Sequence, residues 1–351
     1  MDLACWIQSL FRLHDPGAQR NGEARRSRCA SEGKGRQLAY VSSFKSQAVE
    51  KAKKPRAKWK ASRTYKSLDA LHRRMGSAVS IDLYNGITKF KKRIEPQKVY
   101  DAWVKGDWGP IMETIPWEHM KDDITPALEK GAGVLAESGK IVIQELPAPL
   151  QAHLRWDTKN PRVRDWIASR TAENFTRLTQ DSATNIQRAV TASLNQSLTP
   201  RQVANRIKNS IGLLPRHAQA VNTYRMNLIA QGNPPSKAES LADKYADRLL
   251  DYRANMIGRT ETRLATNQGQ IAVWREASDQ GLVDRHTTGK RWIVDGDPCE
   301  DCEVMDGVTV PLDGFFTMDD GTTIDFPPHD VHPHCFCGIE IVYELEPDDF
   351  D

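Results

Sequence analysis

Two short runs of cysteine and histidine near the end of the chain limit its fold more than any other feature. Cys299-Glu-Asp-Cys302 sets two thiols on one tight knuckle, and His332-Pro-His-Cys-Phe-Cys337 presents four further candidate ligands. Zinc favours four soft or borderline ligands in a tetrahedron, drawn from two chelating pairs on separate loops. Six candidates compete for those positions. Cys299 and Cys302 form one pair, and His332 with Cys335 repeats the same two-residue gap. Cys337 is a direct competitor, and His334 points away from Cys335 if the stretch is extended. Reduced structural thiols or a disulfide are the alternatives. Six cysteines in 351 residues are too few for a disulfide scaffold, and four lie between 299 and 337. That clustering points to a metal site in a reducing compartment.

The residues around the cluster read as strands. Arg291-Trp-Ile-Val294, Val308-Thr-Val310 and Gly338-Ile-Glu-Ile-Val-Tyr343 have strand-like composition, and Asp306-Gly307 and Asp320-Gly321 are turn pairs. A region this short buries little apolar surface and needs a staple, which bound metal supplies.

Upstream, the period is helical. Val99, Tyr100, Trp103 and Val104 share a helical spacing before Gly106-Asp-Trp-Gly-Pro110 interrupts it. Trp103, Trp108 and Trp117 build a small core or, alternatively, anchor an interface. Leu146-Pro-Ala-Pro149 is a linker that cannot continue a helix. Asn160-Pro161 then opens a helix, Thr199-Pro-Arg-Gln202 and Ser236-Lys-Ala-Glu239 have capping-box spacing, and Gly232-Asn-Pro-Pro235 is a stop. Gly258 predicts a bend before a last helix that Gly281 ends. The expected fold class is α+β, an elongated and mainly α-helical body with a small C-terminal zinc-stapled β-rich domain. Its expected divisions are a basic, disordered extension over 1–75, a mainly helical region over 76–150, the helical body over 151–281 and an acidic Cys/His domain over 282–351.

Charge is unevenly spread beneath a net +3. Residues 1–66 hold 16 basic and 5 acidic side chains, whereas residues 294–351 hold 17 acidic and no Lys or Arg. Lys51, Lys53, Lys54, Arg56, Lys58 and Lys60 form the densest basic run, with Trp59 available to stack on a base. A solvated tail without a partner is the alternative. A mean hydropathy of −0.59 with no long apolar run predicts no membrane helix, and the opening residues lack the features of a secretory leader.

No His-Glu-x-x-His helix occurs, and four or more available ligands argue for a closed structural site, so no catalytic residue is assigned. A zinc-dependent enzyme using Glu300 or Asp301, of nuclease or toxin-like type, is the competing reading. A plain DNA-binding protein acting through the basic arm is another. Arg259-Thr-Glu261 places its two charges on different helix faces, so each must meet its own partner or solvent.

Arg259-Thr-Glu261, Asn267-Gln-Gly269, Trp292-Ile-Val-Asp-Gly-Asp297, Cys299-x-x-Cys302, Met305-Asp-Gly307, Phe315-Phe316, Asp320-Gly321, Pro327-Pro328 and His332-Pro-His-Cys-Phe-Cys337 follow one another in a specific order. In that order and spacing, residues 255–343 resemble the phage head morphogenesis family, the Mu F-like minor head proteins. Phe336 departs from the family pattern, which usually has Arg between the last two cysteines. The extra residues between Pro328 and His332 are a second departure. The resemblance implies a structural, non-enzymatic minor capsid protein of a tailed-phage virion, made in the host cytoplasm and resident in the head interior or at the portal vertex. It implies association with the portal protein, with the major capsid or scaffolding protein as further candidates, and a part in head assembly and DNA packaging or delivery. Zinc on Cys299, Cys302, His332, Cys335 and Cys337 would hold the C-terminal fold, and Arg259 and Glu261 would tie that fold to the helices. The basic N-terminal region would face phage DNA, and no membrane contact is implied.

Overall fold

The computed structural model of the chain describes residues 62–105, 108–157, 159–193, 198–295, 298–328, 335–343, 345, 346, 349 and 350. The architecture is α+β, a helical body with small antiparallel sheets toward the C-terminus. The helices are α1 (Arg63–Lys92), α2 (Pro96–Trp103), α3 (Trp108–Glu113), α4 (Trp117–Glu145), α5 (Ala148–Gln151), α6 (Pro161–Thr191), α7 (Pro200–Ser210), α8 (Pro215–Ala230) and α9 (Pro235–Asp279). After β1 (Gly289–Ile293) come a one-turn helix, α10 (Glu300–Glu303), and strands β2 (Thr309–Pro311), β3 (Phe316–Thr317), β4 (Thr323–Ile324) and β5 (Gly338–Val342). Among the described residues, no helix is long and apolar enough to cross a membrane.

Helix α1 starts well before the boundary expected at residue 75. Ser62 caps it, its Oγ accepting from the Tyr65 backbone N–H at 3.1 Å. Leu68, Leu71, Val79, Leu83, Ile87 and Phe90 then recur at helical spacing and are all buried. Lys89, Lys91 and Lys92 close the last turn, where the helix dipole favours cations. The dense positive charge of the preceding segment hides this apolar stripe when the first third of the chain is read as one composition. The basic run from Lys51 to Lys60 lies outside the described residues.

Helices α1, α4 and α9 pack on one another and form the centre of the body. Helix α9 runs unbroken through Gly258. A Cβ there would stand 2.3 Å from Ser80 Oγ and 2.6 Å from the Gly76 carbonyl oxygen, so glycine lets α9 approach α1 closely. Gly269 does the same against α4, where a Cβ would meet Ser138 Oγ at 1.8 Å. The local cap chemistry is realised at two of three expected sites. Asn160 Oδ1 accepts from Arg162 N at 2.9 Å, and Thr199 and Gln202 form a reciprocal capping box. Ser236-Lys-Ala-Glu239 does not form one, because α9 opens at Pro235, which puts Ser236 inside the first turn, and buried Glu239 binds Arg206 and Arg225 instead. Leu146 is extended between α4 and α5, as the proline pair beside it requires. Trp117 is buried and donates to the Met112 carbonyl at 3.1 Å, while Trp103 stacks on Tyr100. The side chain of Trp108 lies outside the description.

The three expected strands form one antiparallel sheet in the order β2-β1-β5, with Lys290 opposite both Val310 and Ile341. Gly307 and Gly321 follow their aspartates with φ of 78° and 83°, a region that favours glycine. This sheet and the helices belong to one unit, residues 58–316 with 324–350. The stretch 317–323 groups apart from it, and there Met318 N donates to Thr322 O at 2.8 Å to close the tip of the β3–β4 hairpin.

Candidate metal centre

Cys299 is the N-cap of α10, its Sγ accepting from Cys302 N at 3.4 Å. This sulfur-capped turn directs Cys302 inward, where it is buried. On the other side, Cys335 and Cys337 lead into β5, and Cys337 N donates to Cys335 Sγ at 3.3 Å. The pairing of β5 with β1 brings this segment to the turn. The ligand atoms of Cys302, Cys335 and Cys337 all lie within 4.8 Å of one another, and all three residues are buried.

The geometry fits a metal rather than a disulfide. Cys302 Sγ and Cys335 Sγ are 3.5 Å apart, far beyond the S–S bond of about 2.05 Å. Sulfurs about 2.3 Å from a tetrahedral ion stand about 3.8 Å from each other, close to this spacing. The thiols also divide their protons unequally. Cys337 is held well below the ordinary thiol range by hydrogen bonds from Cys302 and Cys335, against the effect of burial. Cys302 is pushed up by its contacts with Cys335 and Cys337 and by burial. Crowded thiols of this kind resist simultaneous ionisation unless a cation offsets their charge.

Of the other sequence candidates, Cys299 is half-buried and its sulfur is outside the three-thiol group. His332 and His334 lie outside the described residues. Glu300 and Asp301 are exposed on the turn and do not join the cluster.

Helices α1 and α9 hold the segment that bears two of the thiols. Phe336, between Cys335 and Cys337, has the guanidinium carbons of Arg73 and Arg259 each 5.1 Å from its ring centroid. The His72 ring meets it edge-on at 6.1 Å. Burial first, then the charge of Arg263, pushes His72 down to about 3, so the ring is neutral; its Nδ1 lies 3.0 Å from Thr262 Oγ1. Arg73 also joins Asp69 and Asp295, each at 2.6 Å, and buried Arg263 pairs with Asp69. Gly338 sits where a Cβ would stand 2.9 Å from the Tyr65 ring, so β5 begins hard against α1. Sequence reasoning missed this α1 contribution from Tyr65, Asp69, His72 and Arg73. The signal for it was the capped apolar stripe beginning at Ser62.

The Arg259 and Glu261 expectation divides. Arg259 reaches the cysteine segment through Phe336. Glu261 instead accepts two hydrogen bonds from Arg170 of α6, at 3.1 and 2.7 Å, and ties helix to helix. Two positions apart on a helix is about 200°, so one partner cannot serve both.

Further contacts hold the C-terminal segment to α9 and within itself. Asn267 Nδ2 donates to the Pro327 carbonyl, and Gln270 Nε2 donates to Ile339 O at 3.0 Å. Trp292 is buried edge-on against Phe316, at 5.2 Å between ring centroids. Lys290, fully buried on β1, pairs with Asp325. Comparison with protein-family models, with curated proteins and with solved structures finds no match.

Proposed function

We propose that this chain is a non-enzymatic minor head protein of a tailed phage, with a zinc ion as the staple of its C-terminal segment. One observation carries the reading. The residues that give the chain its resemblance to the Mu F-like proteins are scattered from Arg259 to Cys337, yet Cys302, Cys335 and Cys337 meet in one buried thiol cluster, Arg259 lies on the Phe336 ring between two of those thiols, Asn267 holds the Pro327 carbonyl and Trp292 packs on Phe316. A motif whose members meet in space is a structural unit rather than a chance spacing.

Burial of all three thiols supports a closed, structural ion over one with an open coordination position. Cys302, Cys335 and Cys337 supply three ligands, and Cys299 or a histidine of the 332–334 run supplies the fourth. Zinc there links the α10 turn to the start of β5, where little apolar surface is available to do so. The basic run Lys51, Lys53, Lys54, Arg56, Lys58 and Lys60 serves phage DNA, and the acidic C-terminal region leaves its surface to protein partners.

Co-expression with the portal protein of the same phage tests the assignment. A stable complex in a pull-down at low and moderate salt is expected, and failure to associate at both salts would overturn it. Replacing Lys51, Lys53, Lys54, Arg56, Lys58 and Lys60 with Gln tests the DNA role separately. Removing the six cations of the basic run, each able to neutralise one phosphate, should flatten the log–log salt dependence of DNA binding by about 5.

A further inference from the structure

A cavity of about 460 Å³ opens between α6, α8 and the middle of α9, away from the thiol cluster. Its volume lies in the range of small-ligand sites, roughly 300–1,000 Å³. Leu178, Leu214 and Met256 give it apolar walls, but three arginines line it as well: Arg177, Arg216 and Arg253.

Arg253 is the decisive residue. It is 2% exposed, and its one partner among the described residues is Asp181 Oδ2, which accepts from Nη2 at 2.6 Å. Its Nε and Nη1 are buried and meet no acceptor among the described residues. Unmet donors on a buried cation are costly, and native proteins rarely keep them without a ligand, an ion or an ordered water. Burial lowers the pKa of this guanidinium while Asp181 raises it, so one carboxylate is set against a strongly desolvated charge.

A second feature has the same sign. Helix α8 begins at the cavity wall, and its N-cap, Leu214, supplies no side-chain acceptor. Pro215 at its first position has no N–H, and the N–H groups of His217 and Ala218 both donate to Leu214 O, so among the described residues the Arg216 backbone N–H is the one left uncapped at the positive end of this sixteen-residue helix. Arg216, in its first turn, is exposed and makes no ion pair with a described residue. The one carboxylate on the wall, Glu261, is already engaged by Arg170 through two hydrogen bonds. Nothing on the lining balances Arg216 and the open side of Arg253.

We propose that this cavity binds a small oxyanion, a phosphate or a carboxylate borne on a compact apolar body. The anion would accept from Arg253 and from the α8 N-terminus, with Arg216 closing over it and Leu178, Leu214 and Met256 around the apolar part. The site is independent of the thiol cluster and of the portal assignment, so either reading can fail without the other.

The experiment is calorimetric titration of the full chain with inorganic phosphate and, separately, with octanoate, at constant ionic strength against a chloride control. Binding of either probe supports the site. Phosphate alone identifies a phosphate ligand, and octanoate alone identifies a carboxylate on a hydrocarbon. Arg216→Gln, at an exposed position where the fold survives, should weaken binding about ten-fold or more, and Arg216→Glu should abolish it. Arg253→Met should also abolish it; if that variant does not fold, the Arg216 pair decides. Arg201→Gln, exposed on α7 and off the cavity, should leave affinity unchanged. No heat with either probe at about 10 mM, or equal affinity in the wild type and both Arg216 variants, would overturn the proposal.

Discussion

Gly258 of α9 and Ser80 of α1 share a space that admits no side chain: a Cβ on the glycine would lie 2.3 Å from the serine oxygen. Gly258→Ala must push α1 and α9 apart and should cost about 1–3 kcal/mol. Gly133 on α4 is the control, because a Cβ there meets nothing within 4 Å. Gly133→Ala should stabilise by about 0.4–1 kcal/mol through a stiffer unfolded chain. Urea unfolding of both variants reads the difference, and equal losses would refute the close-approach account.

Phe336 bears on how α1 and α9 grip the thiol segment. Replacing the ring with a charged side chain, Phe336→Arg, sets a third cation beside Arg73 and Arg259. Two cation–π contacts are exchanged for like-charge repulsion, a loss of about 1–3 kcal/mol. Phe336→Leu keeps much of the apolar volume and should lose less. Thermal unfolding that ranks the arginine variant equal to wild type would mean the ring is a spacer only.

Metal removal should be felt as lost stability. An ion present at about a thousand times its dissociation constant contributes about 4 kcal/mol, which a strong chelator withdraws. Cys302→Ser should abolish metal retention and show no further loss on chelation. Cys299→Ser should retain more metal than Cys302→Ser, because the Cys299 sulfur lies outside the three-thiol group and caps α10. Elemental analysis with parallel melting curves checks both points.

The buried neutral His72 makes stability fall with acidity. Its folded value near 3 lies below the unfolded value of about 6.5, so between those limits only the unfolded chain takes the proton. Stability is therefore intact above about pH 6.5 and declines as pH drops, by up to about 1.4 kcal/mol per pH unit. Arg263, Arg73 and Arg259 around the ring reinforce this, and Asp69 opposes it. His72→Gln removes the effect while thiol protonation proceeds in both proteins. Stability that falls in parallel for the two proteins between about pH 7 and 4.5 would count against it.

Much of the C-terminal segment was legible because its signals are local and chemical. Strand composition placed β1, β2 and β5, and Asp-Gly pairs marked turns where glycine has positive φ. Asn160 and Thr199 announced their helices, since a cap is read from a few adjacent residues. The failures involve long-range partners. Glu239 suits a capping box by spacing, and only the fold brings Arg206 and Arg225 to it. Gly258 suits a bend, and only the neighbouring helix makes it a contact point. Arg253 carries no local signal, and only the tertiary structure buries it. Helix α1 was obscured differently, by averaging the residues after Ser62 with a basic stretch that follows other rules.

The partners of α1 also set a schedule for making the protein. Ser62 N donates to Glu340 Oε1 at 3.1 Å, Tyr65 meets Gly338, and Phe336 rests on Arg73. At about 5–20 residues per second, a ribosome needs on the order of tens of seconds to supply the later member of each pair. For that interval α1 is synthesised but unfinished, with Tyr65 and His72 still waiting for their cover. Strand β5 completes helix α1, and a nascent chain released short of that strand would leave the apolar face of α1 open to other chains.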